Sequence, residues 1–122
     1  MNHQDNFLLL VEELRPYVKE VDVMNVDKSI NNNEDFVLID VREDYEWQNG
    51  HIKNAIHLSR GIIERDIETK ITDKNKKLVL YCGGGYRSVL AAYNIQKMGY
   101  TNVFSMAGGV RDWLNNDFKL EL

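Results

Sequence analysis

Cys82 is the only cysteine among 122 residues, and its surroundings suit a thiol that reacts. Leu78-Val79-Leu80-Tyr81 leads into it as a continuous apolar run of strand character. Gly83, Gly84 and Gly85 follow, then Tyr86, Arg87 and Ser88, where a helix-forming segment begins. Thiols are poor nucleophiles and thiolates good ones, so a reactive cysteine needs positive potential around it. Inward-turned backbone N–H groups of residues 83–87 supply that potential as a nest, together with the N-terminal dipole of the following helix. Arg87 adds charge and a planar fork for an oxyanion. The glycines let the backbone take positive φ and approach an anion closely, at roughly 0.5–1 kcal/mol each relative to alanine. Ser88 is placed either to cap the helix or to donate to the sulfur. The plainer alternative is a buried cysteine serving as a small hydrophobe. Such a residue has no need of three consecutive glycines and an arginine at a helix start.

The spacing narrows the ligand. A Cys-x5-Arg loop encircles a tetrahedral phosphate in cysteine-dependent phosphatases, whereas here the spacing is Cys-x4-Arg and Ser88 holds the next position. A tighter ring suits the terminal sulfur of a persulfide better than a whole phosphate. No metal is expected, since no second cysteine exists and no histidine lies near in sequence; no cofactor is expected either.

The elements that must hold this loop follow from hydrophobic spacing. Residues 1–6 are polar and expected to fray. Phe7, Leu10, Val11, Leu14, Tyr17 and Val18 fall at helical spacing, with Pro16 ending or kinking the helix near Leu14. A short strand is expected over Val21–Met24, then about one helical turn over Asp27–Ile30. Phe36–Asp40 reads as a strand covered on both faces, and Arg42–Asn49 as a short helix closed by Gly50. Ala55–Leu58, Leu78–Tyr81 and Val103–Met106 are further strands. Helices are expected over Gly61–Lys70, through Ala91, Ala92, Ile95 and Met98 with Gly99 as a C-cap, and after Gly108-Gly109 through Trp113 and Leu114. Strands alternating with helices imply an α/β domain with a parallel sheet and helices on both faces. All strand C-termini of such a sheet lie along one edge, where ligands bind. Asp40, Ser59, Cys82 and Ala107 thus share a rim, and Arg42, Arg60 and Arg87 each follow a strand end.

Three ordered segments now carry a resemblance. Asp40-Val41-Arg42-Glu43 with Glu46-Trp47, Gly50-His51-Ile52 and Ala55-Ile56-His57 is similar to the first signature of the single-domain rhodaneses, the sulfurtransferase superfamily. Tyr81-Cys82-x-x-Gly85-x-Arg87-Ser88 with Ala91-Ala92 resembles their active-site segment. Gly99-Tyr100, Val103, Gly108-Gly109 and Trp113 resemble the closing signature. The resemblance runs from about Val21 to Leu114. It implies a five-stranded parallel sheet flanked by helices, with residues 1–20 as a helical extension, 21–117 as the rhodanese-like domain and 118–122 as a tail. It also implies that Cys82 accepts a sulfane sulfur from thiosulfate or a related donor. The persulfide would pass it to cyanide or a thiol by covalent, ping-pong catalysis. Loop amides from Gly83 to Ser88 would hold the negative charge. The chain departs from the family in having Lys53-Asn54 after Gly-His-Ile, and Gly83 and Gly84 where some relatives carry charged or polar side chains. Arg87 is then the only cation in the loop.

Other candidates have structural readings beside functional ones. A carboxylate at Asp40 would disfavour a neighbouring thiolate, so its expected partner is Arg42. Acid–base roles for His51 and His57 have little place in sulfur transfer, which points to structural hydrogen bonding. Arg60 and Arg65 either face the rim or are solvated helix charges. Tyr86 is expected to wall the pocket, and Trp47 and Trp113 to pack at the core or its edge. A net charge of −4 offers no overall basic footprint for nucleic acid or anionic membrane. The longest apolar run near the start, Phe7–Val11, is too short for a signal-peptide core or a membrane span. A single cysteine fits a reducing compartment. The expectation is a cytoplasmic domain whose partners are a small sulfur-donor anion and an external thiol or sulfur-acceptor protein. Two other functions compete: a non-catalytic or regulatory binding module, and a phosphatase or arsenate reductase on the same fold.

Overall fold

The computed structural model describes residues 3–122; the first two residues of the polar start lie outside them. Five strands and six helices alternate. In chain order they are α1 (Asp5–Leu14), β1 (Lys19–Val21), α2 (Val23–Asn31), β2 (Val37–Asp40), α3 (Asp44–Gln48) and β3 (Ile56–His57). Then come α4 (Ile63–Lys70), β4 (Leu78–Tyr81), α5 (Arg87–Lys97), β5 (Val103–Met106) and α6 (Gly109–Asn115). The strands form one sheet in the order β1-β5-β4-β2-β3, and every pairing is parallel.

Side chains alternate across a strand, and β4 uses that alternation to aim the cysteine. Leu78 and Leu80 point into the core shared with α1, α4 and α5, where they meet Val11, Ile63, Ile67 and Ile95. Val79 and Tyr81 point the other way, toward Val23, Val26, Val110 and Trp113 of α2 and α6. Cys82 continues the even-numbered set and emerges beside α5. Ala91 and Ala92, both fully buried, let α5 lie close to the sheet.

Three local expectations are corrected. Residues 21–24 are not a strand: β1 ends at Val21 and α2 begins at Val23, running to Asn31 rather than for one turn. The cause is Asp22, which sits in extended conformation and accepts a hydrogen bond from the Asn25 amide at 2.8 Å, an N-cap that starts the helix early. Val23, Val26 and Ile30 then fall on its buried face. β1 leaves little trace in the sequence because it is an edge strand with Lys19 and Glu20 exposed. Nor is all of residues 1–6 frayed, since Asp5 and Asn6 form the first turn of α1. Pro16 stops that helix at Leu14, and a 3-10 turn over Arg15–Tyr17 follows.

Candidate active site

The fully buried β4 delivers Cys82 to the rim, and α5 starts five residues later at Arg87. The Gly85 amide donates to Cys82 Sγ at 3.2 Å. Ser88 is not the helix cap; that position is held by Tyr86 without a side-chain hydrogen bond. Ser88 is instead buried within the first turn of α5, its Oγ 3.5 Å from Cys82 Sγ and 2.7 Å from Oγ of Ser105 on β5. As a thiol, Cys82 donates to Ser88. A thiolate has no proton to give, so Ser88 must then donate to the sulfur and accept from Ser105. The relay supports either protonation state by rotating two hydroxyls.

A second turn locks the loop from behind. The amides of Val110 and Arg111, at the start of α6, donate to the carbonyls of Cys82 and Gly83, both at 2.9 Å. That approach needs bare backbone. Gly109 has φ +57° and its Cβ would stand 2.4 Å from the Cys82 carbonyl oxygen. Gly85 has φ +91° and its Cβ would stand 2.8 Å from the Gly108 nitrogen. The closing Gly108-Gly109 pair and the cysteine loop are thus two halves of one contact.

Beside the loop opens a cavity of about 520 Å3, bounded by Gly83, Gly84, Tyr86 and Arg87, by Tyr45 and Glu46 of α3, by His3 and Phe7, and by Arg111. Tyr86 walls it as expected. Its ring meets His3 edge-on at 4.5 Å and Phe7 at 6.1 Å, so the segment around α1 forms one side. Cys82 itself keeps only 1% exposure, which admits only a small terminal atom to the sulfur.

The charges differ from those read in the sequence. The Arg87 fork is occupied: Nη1 and Nη2 donate to Glu46 Oε1 and Oε2 at 2.8 and 3.2 Å. Those bonds raise the Arg87 guanidinium above its ordinary value against the opposing effect of burial. Burial pushes the Glu46 carboxyl up, but the Arg87 hydrogen bond and the Glu43 amide outweigh it and hold the group below the usual carboxylate range. Arg87 is also not the only guanidinium at the loop. Arg111 Nη2 lies 3.4 Å from where a Cβ on Gly84 would be, as Arg87 Nη2 lies 3.2 Å from that position on Gly83.

The expected rim of arginines is corrected on two counts. Arg42 turns inward and is 6% exposed. Its Nε and Nη2 grip both oxygens of the fully buried Asp40, and Nη2 also donates to the Gly50 carbonyl at 2.6 Å. Arg60 is half-buried and does not line the cavity, its amide bonding the Val41 carbonyl and its Nε having no partner among the described residues. Arg65 is solvated and paired with Asp66. Asp40 and Arg42 reach the site indirectly. They tie the end of β2 to Gly50, just past α3, while His57 Nε2 bonds the Arg42 carbonyl at 2.8 Å. Trp47 stacks on His51 at 3.7 Å and on His57 at 5.0 Å. This assembly fixes α3, and α3 carries Glu46 to Arg87. Trp113 packs on Phe118 and donates to the Lys119 carbonyl, away from the cavity.

Comparison with known proteins agrees with this geometry. The family model of the Rhodanese-like domain matches residues 24–116. A putative sulfurtransferase of Bacillus subtilis, YtwF, is 34% identical over 96 residues, which cover 79% of this chain and 90% of that one. The thiosulfate sulfurtransferase GlpE of Coxiella burnetii is 34% identical over 79 residues, covering 65% of this chain and 72% of the relative. Other relatives are longer. The alignment takes in 26% of a tRNA uridine(34) hydroxylase from Hamiltonella defensa and 51% of a putative sulfur carrier protein, YrkF, from Bacillus subtilis. Among solved structures, a Rhodopseudomonas palustris protein of unknown function, described as a possible tyrosine phosphatase, superposes with a TM-score of 0.88 at 25% identity. That match covers 99% of this chain and 98% of the other, α1 included. A strand-end cysteine, a glycine loop docked on a second glycine turn, and a parallel sheet behind them therefore have a family: this chain is a member of the rhodanese-like domain family, whose relatives here include named sulfurtransferases. No helix among the described residues is long and apolar enough to cross a membrane.

Proposed function

We propose that the protein is a sulfurtransferase that moves a sulfane sulfur from thiosulfate or a related donor to a thiol or cyanide through a persulfide on Cys82. The observation that carries this reading is the setting of the sulfur: Gly85 N at 3.2 Å and the Ser88–Ser105 hydroxyl pair behind it. In the first half-reaction the Cys82 thiolate attacks the donor's terminal sulfur. A new S–S bond forms, the donor's own S–S bond breaks, and sulfite leaves with the electron pair. The persulfide's outer sulfur takes its negative charge into the loop, facing the amides of residues 83–88. In the second half an acceptor thiolate or cyanide attacks that outer sulfur and Cys82 departs as thiolate. No second cysteine among these 122 residues can take the sulfur, so the acceptor is cyanide, a thiol or a sulfur-acceptor protein from outside this domain.

A phosphatase reading enters through the Rhodopseudomonas relative's description. Two features oppose it: the Cys-x4-Arg spacing and the engagement of the Arg87 fork by Glu46. Steady-state kinetics with thiosulfate and cyanide separate the readings. Sulfur transfer predicts parallel double-reciprocal lines and complete loss in Cys82→Ser. Hydrolysis of an aryl phosphate without thiocyanate formation would support the phosphatase instead. Binding without either reaction would leave a partner-recognition module.

A further inference from the structure

The residues after α6 turn back onto the element that carries Glu46. Asn116 caps α6 and Asp117 takes φ +63°, while the amides of Asp117 and Phe118 donate to the carbonyls of Leu114 and Trp113 at 3.0 and 3.2 Å. A left-handed residue with this pair of bonds reverses the chain at a helix end. Phe118 then folds onto Trp113, ring centroids 4.8 Å apart, and Trp113 Nε1 donates to the Lys119 carbonyl at 3.0 Å. Residues 118–121 are thereby aimed at the turn that follows α3. Glu121 and His51 exchange amide-to-carbonyl bonds, both at 2.8 Å, in an antiparallel bridge. Leu120 seats against bare backbone, since a Cβ on Gly50 would stand 3.2 Å from Leu120 Cβ.

The turn they reach is the one that fastens α3. That helix has five residues, none of them fully buried, and a helix so short has little stability of its own. Its start is tied by the Glu43 amide, which donates to Glu46 Oε1 at 3.1 Å. Its end is tied at two residues: the Gly50 carbonyl accepts from Arg42, and the His51 ring stacks on Trp47. Residues 120 and 121 hold those same two residues from outside. Beside Trp47 stands Glu46, whose carboxylate takes both arms of the Arg87 fork. The other end of α6 donates the Val110 and Arg111 amides to the carbonyls of Cys82 and Gly83. All of residues 118–121 lie beyond the segment 24–116 that the family model matches.

We infer that residues 118–121 are a clasp that positions the Glu46 carboxylate on Arg87, joining α6, which docks on the cysteine loop, to α3, which holds the loop's arginine. None of the four lines the cavity; they are positioning residues that act through Glu46. The inference rests on the sulfurtransferase reading only for its effect on rate.

Glu121→Pro tests it, because proline has no N–H to give the His51 carbonyl. The Glu46 carboxyl is titrated by carboxyl-carbon NMR in the unaltered protein, in Glu121→Pro and in Arg87→Ala, which shows the carboxyl without its partner. In Glu121→Pro the Glu46 pKa should rise from its depressed value toward that in Arg87→Ala. Leu120→Ala, which removes the packing on Gly50, should move it the same way. Ile71→Val, a truncation in the opposite core, controls for lost stability and should leave it in place. Turnover is the second readout. The kcat/KM for thiosulfate should change in the same direction as in Glu46→Gln, and adding Glu121→Pro to Glu46→Gln should change it no further. A Glu46 carboxyl that titrates alike in Glu121→Pro, Leu120→Ala and the unaltered protein overturns the inference. So does one displaced equally by Ile71→Val, or full additivity in kcat/KM. If the unaltered protein transfers no sulfur, the sulfurtransferase reading falls and the carboxyl titration still decides the clasp.

Discussion

Cys82 is served by hydroxyls as well as by the loop. Gly85 N is the one described amide bonded to Sγ, and the Ser88–Ser105 pair supplies the second contact from the sheet side. Ser105→Ala removes the group from which Ser88 accepts when it donates to a thiolate. Alkylation of Cys82 by iodoacetamide at neutral pH should slow by about fivefold, the effect of one lost hydrogen bond, while circular dichroism stays native. An unchanged rate would make Ser105 a packing residue only. Glu46 restrains Arg87, and Glu46→Gln keeps the shape while removing the charge that opposes dianions. The kcat/KM for thiosulfate should rise about threefold or more. A fall would mean that Arg87 works only when held. Because the Glu46 carboxyl is depressed, the pair's contribution is complete above the ordinary carboxyl range and is lost only as pH drops through the lowered folded value. Any loss of activity from protonation of Glu46 should therefore set in at a lower pH than the titration of a free glutamate, as a pH–rate profile would show. Cys82, the glycines, Tyr86, Arg87 and Ser88 were legible because they are consecutive. Glu46, Arg111 and Ser105 were not, since Glu46 is 41 positions from Arg87 and only the fold brings such residues together. Glu46 does lie beside Trp47 in the first signature, but nothing in its spacing marks it as an arginine's partner.

Strand β4 and the two glycine turns do the positioning. β2, β4 and β5 were readable as apolar runs because both faces of the sheet are covered, and β4 and β5 have the bounds expected from sequence. β1 and the start of α2 were obscured, one by its exposed edge and the other by the Asp22 cap. The docking of the β5–α6 turn onto the cysteine loop left no local signal beyond the glycines themselves. It carries a stability prediction. Gly85→Ala puts a Cβ 2.8 Å from the Gly108 nitrogen at φ +91°, combining backbone strain with overpacking. Urea unfolding should show a loss of about 3 kcal/mol, and sulfur transfer should fall further than stability alone explains. Gly61→Ala, where a Cβ would meet nothing within 4 Å, is the matched control and should change neither.

The molecule works as one sheet with different tasks on its two faces. On one, α1, α4 and α5 bury the even-numbered residues of β4 and leave Cys82 at the rim; on the other, α2 and α6 close the second core and turn Arg111 toward the loop. Residues near the start of the chain share in the first core, since Val11 is fully buried there, and also in the cavity through Phe7. That double role was visible in sequence only as an apolar stripe. What unites these parts is a sulfur that must accept one more sulfur atom and give it up again. The most direct test is intact-mass spectrometry of the protein after incubation with a sulfane donor. Sulfur transfer predicts a single added mass of about 32 Da, located on the peptide containing Cys82, removed by an external thiol and absent from Cys82→Ser. No adduct on the unaltered protein, or one that persists in Cys82→Ser, would contradict the account.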